Sequence, residues 1–164
     1  MIKTGKYVGL CLTILTLAGC RAKDGGPPSI QESCTQTINA YAHSRDSGDV
    51  EGFRQLFTPD ARFTIRGETQ TGRDAIVEGM QSRMGTTVSR HIIGSILIEE
   101  VSRTRAKGQS YVMVFIGDGE GTPPFDLSMD KFFGIATYWD EFQISGEVCR
   151  ISDRRVEITF AKKP

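Results

Sequence analysis

Apolar residues change their spacing along this chain, and each change predicts a different element. Tyr7 to Leu17 is an almost unbroken apolar run, preceded by Lys3 and Lys6. From Cys34 the spacing becomes helical. Ile38, Tyr41, Ala42 and Arg45 recur at intervals of three and four through Ser47, and Gly48 suits the end of that helix. Asp49 is a candidate N-cap for a second helix, Val50 to Phe57, with Val50, Phe53, Leu56 and Phe57 on one face. Thr58-Pro59-Asp60 reads as a turn. Ala61 to Arg66 alternates as a strand, and Gly67 opens a hairpin returning through Thr71. A third helix, Arg73 to Arg83, carries Ile76, Val77, Met80 and Met84 at helical spacing.

The second half is almost all strand. Val88 to Val101 is long and β-branched, with Gly94 marking a bend or bulge. Gln109 to Gly117 is a further strand. Phe132 to Ile144 and Val148 to Phe160 form a hairpin across Ser145-Gly146-Glu147. The Gly- and Pro-rich stretch Gly117 to Lys131 is an expected loop, long enough to act as a lid. Helices first and long antiparallel strands later is the α+β order: about three N-terminal helices covering one face of a strongly curved, mostly antiparallel sheet, a cone enclosing a pocket.

Charge narrows the partners. The 164 residues carry 20 basic and 20 acidic side chains, and two of the basic ones lie in the first stretch, so the remainder is slightly acidic. That argues against nucleic acid as a partner. The first stretch ends in Leu17-Ala18-Gly19-Cys20, which resembles the lipobox of bacterial lipoproteins: a basic start, a short apolar run, then small residues before a cysteine. Residues 1–19 are therefore expected to be a signal peptide and Cys20 the lipidated residue. Residues 20–33 form a Gly/Pro-rich tether, and 34–164 form the folded domain. The expected address is the cell envelope. Arg21 after the cysteine leaves outer-membrane sorting, facing the periplasm, as the favoured site. The membrane partner is then the N-terminal lipid, whose buried methylenes contribute roughly 0.8 kcal/mol each.

Of four cysteines, Cys11 leaves with the leader and Cys20 takes lipid. Cys34 and Cys149 remain, either as a disulfide in an oxidising compartment or as two buried thiols. Neither has the spacing of a zinc ligand, and no metal or other cofactor is expected.

Several segments match a family. YAHSRDSGDVEGFRQLFTPDARFTI, TGRDAIVEGM, SRHIIGSILIEE and FGIATYWDEFQISGEVCRISDRRV resemble the SnoaL-like branch of the nuclear-transport-factor-2-like superfamily, roughly from Ile38 to Val156. The pattern of a tyrosine, D-x-G-D and L-F-x-x-D-A carries most of the likeness. Where the family usually has Trp before Arg-Ile in the last strand, this chain has Cys149, which favours its pairing with Cys34. The resemblance implies a cone with a pocket and a choice among dehydratases, isomerases, cyclases and binding proteins; fold does not choose between them.

By resemblance to the family's dehydratases, Tyr41, Asp46 and His91 are the candidate catalytic residues. His91 would be a general base beside a carbonyl, Asp46 its orienting carboxylate and Tyr41 the group that polarises the oxygen. Each has a plainer alternative. Asp46 can stabilise the turn between the first two helices, Tyr41 can be core, and His91 can be a structural histidine. Asp140 is a second candidate to orient the histidine, and Arg154 can pair with Asp140. Expected pocket residues are Phe63, Ile93, Ser95, Met113, Tyr138, Asp140, Phe142 and Arg154, with His91, Ile93, Ser95 and Leu97 on one strand face. The strand after His91 offers Ser110, Tyr111, Met113 and Phe115 and no further acid or base. Three functions follow: binding of a small apolar ligand without chemistry, a dehydratase or isomerase, and a homodimeric interaction module.

Overall fold

The computed structural model describes residues 26–82, 87–118 and 132–161. The expected leader, Cys20, the start of the tether, Met84 and most of the expected lid lie outside the described residues. Helix α1 spans Ile30–Ser47. Ser29 starts it with a capping box: its hydroxyl accepts the Glu32 amide at 3.2 Å, and the Glu32 carboxylate accepts the Ser29 amide at 2.8 Å. Ile30 to Ser33, expected in the tether, therefore form the first turn of the helix. A polar cap reads as linker when only apolar periodicity is followed. Gly48 closes α1 in the left-handed region at φ 73°, where a side chain would be disfavoured.

Asp49 caps the short helix α2, Val50–Gln55, by accepting the Gly52 amide at 2.9 Å. Phe57, expected at the end of that helix, instead opens strand β1, Phe57–Ile65. Thr58-Pro59-Asp60, expected as a turn, is part of this strand. Phe57 pairs with Ile151, and the ladder slips between Phe57 and Arg62. Pro59 and Asp60 are exposed in that slip, where a missing proline N–H removes no ladder bond. Arg66 and Gly67, both at positive φ, turn the chain into β2, Glu68–Thr71. Helix α3 spans Arg73–Gln81 and buries Ile76, Val77 and Met80.

Four long strands follow: β3, Thr87–Ser102; β4, Arg105–Asp118; β5, Phe132–Ser145; and β6, Val148–Ala161. The six strands form one mixed sheet in the order β2-β1-β6-β5-β4-β3, parallel between β1 and β6 and antiparallel elsewhere. Bulges interrupt β3 at Gly94/Ile96, the β4–β5 ladder at Val114/Phe115 and the β5–β6 ladder at Ile135/Ala136 and Glu141/Phe142. Each adds local twist and bends its strand. The result is the expected α+β architecture, a curved sheet with three helices packed against it.

The core lies between α1 and the inner sheet face. Cys34, Ile38 and Tyr41 of α1 pack with Phe53, Phe57, Phe142 and Ile151. Cys34 and Cys149 are joined in a disulfide, their Cα atoms 5.1 Å apart. Beside it Ser33 Oγ donates to the Glu147 carbonyl at 2.7 Å, and Thr37 Oγ1 donates to the Cys149 carbonyl at 2.8 Å. The start of α1 is thus stitched to the start of β6. No helix among the described residues is long and apolar enough to cross a membrane.

Candidate functional site

Tyr41 and Asp46 leave α1 toward the strand that carries His91. Asp46 is in the last turn, and its carboxylate reaches three groups of β3. It accepts the Ser89 hydroxyl at 2.9 Å, the His91 amide at 2.7 Å, and lies 2.6 Å from His91 Nδ1. The turn between α1 and α2 is held by Asp49 instead, so Asp46 does not do that work here. Burial alone would raise the Asp46 carboxyl, but the hydrogen bonds from the His91 ring and backbone and from Ser89 outweigh it and hold the group below its ordinary value. A carboxylate at Nδ1 places the ring proton there and leaves Nε2 with a lone pair.

The His91 ring meets the Tyr41 ring edge-on, centroids 6.2 Å apart, and Tyr41 meets Tyr138 in the same way at 5.7 Å. These three side chains form part of the wall of a cavity of about 500 Å³. The remaining wall is mostly apolar: Phe53, Phe63, Ile76, Met80, Val112, Val114, Ala136, Val156 and Ile158. Arg45, Arg66 and Glu68 also border it. The volume suits a small organic molecule.

Behind this wall, Arg154 donates to Asp140 through Nε at 2.6 Å and Nη2 at 2.8 Å, both side chains fully buried. The guanidinium carbon lies 4.1 Å from the Tyr41 ring centre and 4.3 Å from that of Tyr138. Its Nη1 has no hydrogen-bond partner; the two π-faces offset that loss. Burial opposes the arginine's charge, yet Asp140 more than compensates and raises its pKa. Burial also pushes the Tyr138 phenol well above its ordinary value, Tyr41 adds to this and Arg154 works the other way, so the phenol remains a donor.

Of the expected pocket residues, Phe63 and Tyr138 line the cavity. Ser95 does not. It occupies the bulge at φ 45°, is exposed, and shifts the strand's parity so that Ile96 and Ile98 turn inward while Leu97 is 67% exposed. Met113 pairs with Ile92, which is 57% exposed, and so shares the outer face; its neighbours Val112 and Val114 face the cavity. Ile93 packs on the core without lining the cavity. Asp140, Phe142 and Arg154 are sealed in the core behind it. Asp140 pairs with Arg154 and does not orient His91. Alternation along β4 and β5 announced two faces but not which one would face inward. Arg45 had a usable signal: a cation on the apolar stripe of α1.

No group of three or more His, Cys, Asp or Glu among the described residues is arranged to hold a metal ion.

The model of the SnoaL-like domain matches residues 29–155. No curated protein sequence matches the chain. Many solved structures share the fold. A scytalone-dehydratase-like protein of Novosphingobium aromaticivorans superimposes with a TM-score of 0.66 at 20% identity, covering 79% of this chain and 84% of the other. A protein of unknown function from Mycobacterium tuberculosis gives 0.65 at 25% identity, covering 77% and 74%. A cystatin-like fold protein from Nostoc punctiforme gives 0.64 at 19%, covering 79% and 92%. With its curved sheet, helical cover and family match agreeing, the chain belongs to the SnoaL-like domain family.

Proposed function

We propose that the cavity takes up a small, largely apolar, oxygen-bearing molecule and that His91, oriented by Asp46, moves a proton on it, a lyase or isomerase reaction of the dehydratase type. The 2.6 Å contact between Asp46 and His91 Nδ1, in the wall of an apolar cavity, carries this reading. His91 Nε2 takes a proton from the carbon beside a carbonyl, and the C–H electron pair moves toward the carbonyl oxygen. A phenol O–H of Tyr41 or Tyr138 receives the developing charge. The imidazolium then returns its proton either to the γ-carbon of a β,γ-unsaturated ketone, whose dienolate closes to the conjugated isomer, or to a β-hydroxyl that leaves as water while the enolate closes to the α,β-unsaturated ketone. One histidine can serve both steps, so the lack of a second acid on β4 is not an obstacle. The name of one fold neighbour points to the same reaction class, though at 20% identity it speaks for the fold alone.

Proton exchange tests this directly. In heavy water, small cyclic ketones and β-hydroxyketones are expected to exchange their α-protons, read by NMR. His91→Ala should slow this by about 10²–10⁴-fold while leaving ligand binding in place. Exchange unchanged in His91→Ala ends the catalytic reading. A bound ketone that never exchanges leaves the second reading, binding without chemistry, which the mainly apolar wall favours.

We further propose that the leader directs export and that Cys20 carries the lipid, holding the domain at the outer membrane on its periplasmic side. Cys20→Ala should release the protein from the membrane fraction. The outer sheet face exposes Ile92, Leu97, Tyr111 and Phe160, and it is the face on which we place homodimer pairing; sedimentation measures that.

A further inference from the structure

We infer that the ligand of this cavity is an amphipathic anion, a compact apolar body bearing a carboxylate or sulfonate, and that Arg45 holds the anionic group. The inference rests on the cavity reading above and adds the class of molecule.

His91, Tyr41 and Tyr138 are polar groups of the cavity wall. Arg45 borders the same cavity, one turn further along α1 than Tyr41, a rise of roughly 6 Å. Most of the rest of the wall is apolar. Arg45 is half-buried, borders the cavity, and has no hydrogen-bond or ion-pair partner among the described residues. The other arginines near α1 are engaged: Arg54 pairs with Asp74, and Arg90 donates to the Ser89 carbonyl at 2.7 Å. The remaining charged side chains on the cavity border are Arg66 and Glu68, one of each sign. A cation with no anionic partner among the described residues, held partly out of water beside an apolar hollow, is a recognition element for a ligand anion. A neutral ligand of the same size would leave that half-buried guanidinium with only water.

Two fluorescent probes with closely similar aromatic bodies separate the cases: 8-anilinonaphthalene-1-sulfonate, an anion, and neutral N-phenyl-1-naphthylamine. The anionic probe is expected to bind the wild-type chain more tightly and to weaken with added salt. Arg45→Gln should weaken the anionic probe about tenfold and change the neutral one by less than about twofold, whereas Arg45→Lys should retain most of the anionic affinity. Val114→Trp, which fills the cavity, should remove both. The inference is overturned if the anionic probe does not bind, if Arg45→Gln leaves it unchanged, or if both probes weaken equally. If both probes survive Val114→Trp, they bind elsewhere, and the cavity reading falls together with the inference. A neutral probe lost in Val114→Trp, with an anionic one indifferent to Arg45, sinks the inference alone.

Discussion

Asp46–His91 and Asp140–Arg154 are both buried pairs of a carboxylate and a nitrogen base, yet one forms part of a cavity wall and the other is sealed behind it. Arg154 meets its carboxylate with two parallel bonds and has no exposed side-chain surface. Both Asp140 oxygens are taken up by Arg154. His91 and Asp46 keep 9% and 13% of their side-chain surface, and the histidine spends only one ring nitrogen on its partner. The difference lies in what remains unused. A pair sealed from solvent, with both carboxylate oxygens engaged, can only anchor; an imidazole with one nitrogen unspent at a cavity wall is the group to which the proposed chemistry is assigned. The disulfide ties the two regions together, since α1 carries Cys34 and Asp46 while β6 carries Cys149 and Arg154.

The largest effect should come from breaking the sealed pair. Asp140→Ala leaves a buried guanidinium without its anion and should cost about 3–5 kcal/mol of stability in chemical denaturation. Replacing both partners, Asp140→Leu with Arg154→Met, should be far milder, because no charge is stranded. A double mutant as unstable as the single would show that the pair holds the strands together by something other than charge compensation.

Next comes the brace between the regions. Replacing Cys34 and Cys149 by serine should cost about 2–5 kcal/mol, since the bridge spans 115 residues of sequence. If the two regions are coupled through α1, ligand affinity should fall with it.

The smallest stability change is expected at the open pair. Asp46→Asn preserves shape and should cost only about 1–2 kcal/mol, while α-proton exchange falls by an order of magnitude or more. The sign of its pH dependence is set by the depressed carboxyl. Asp46 contributes stability above the ordinary carboxylate range near pH 4, and that contribution is lost as pH falls through its lower folded value. Asp46→Asn should flatten that part of the acid limb. A variant that loses stability like Asp140→Ala but keeps exchange activity would reverse the roles assigned to the two pairs.

Much of this was legible beforehand, and the failures share a cause. Local signals placed Gly48 and Asp49 at the ends of α1 and α2, the Gly67 hairpin and the four long strands. Tyr41, Asp46 and His91 came instead from the resemblance to the family's dehydratases. Ser95 and Met113 were misplaced, and Val112 and Val114 missed, because a period of two carries no phase. One bulged residue inverts every side chain after it, and nothing local announces how many residues bulge. Thr58-Pro59-Asp60 was misread because its extended form depends on β6, distant in sequence.

By itself, then, the chain determined its elements, its α+β order and the residue types available for acid–base work, since caps, periodicity and side-chain chemistry are properties of neighbours in sequence. Which carboxylate meets which base, which strand face becomes the cavity wall, and that Arg45 lies at its border were decided only in three dimensions. Those facts depend on register, bulges and packing between segments tens of residues apart, where small shifts exchange inside for outside.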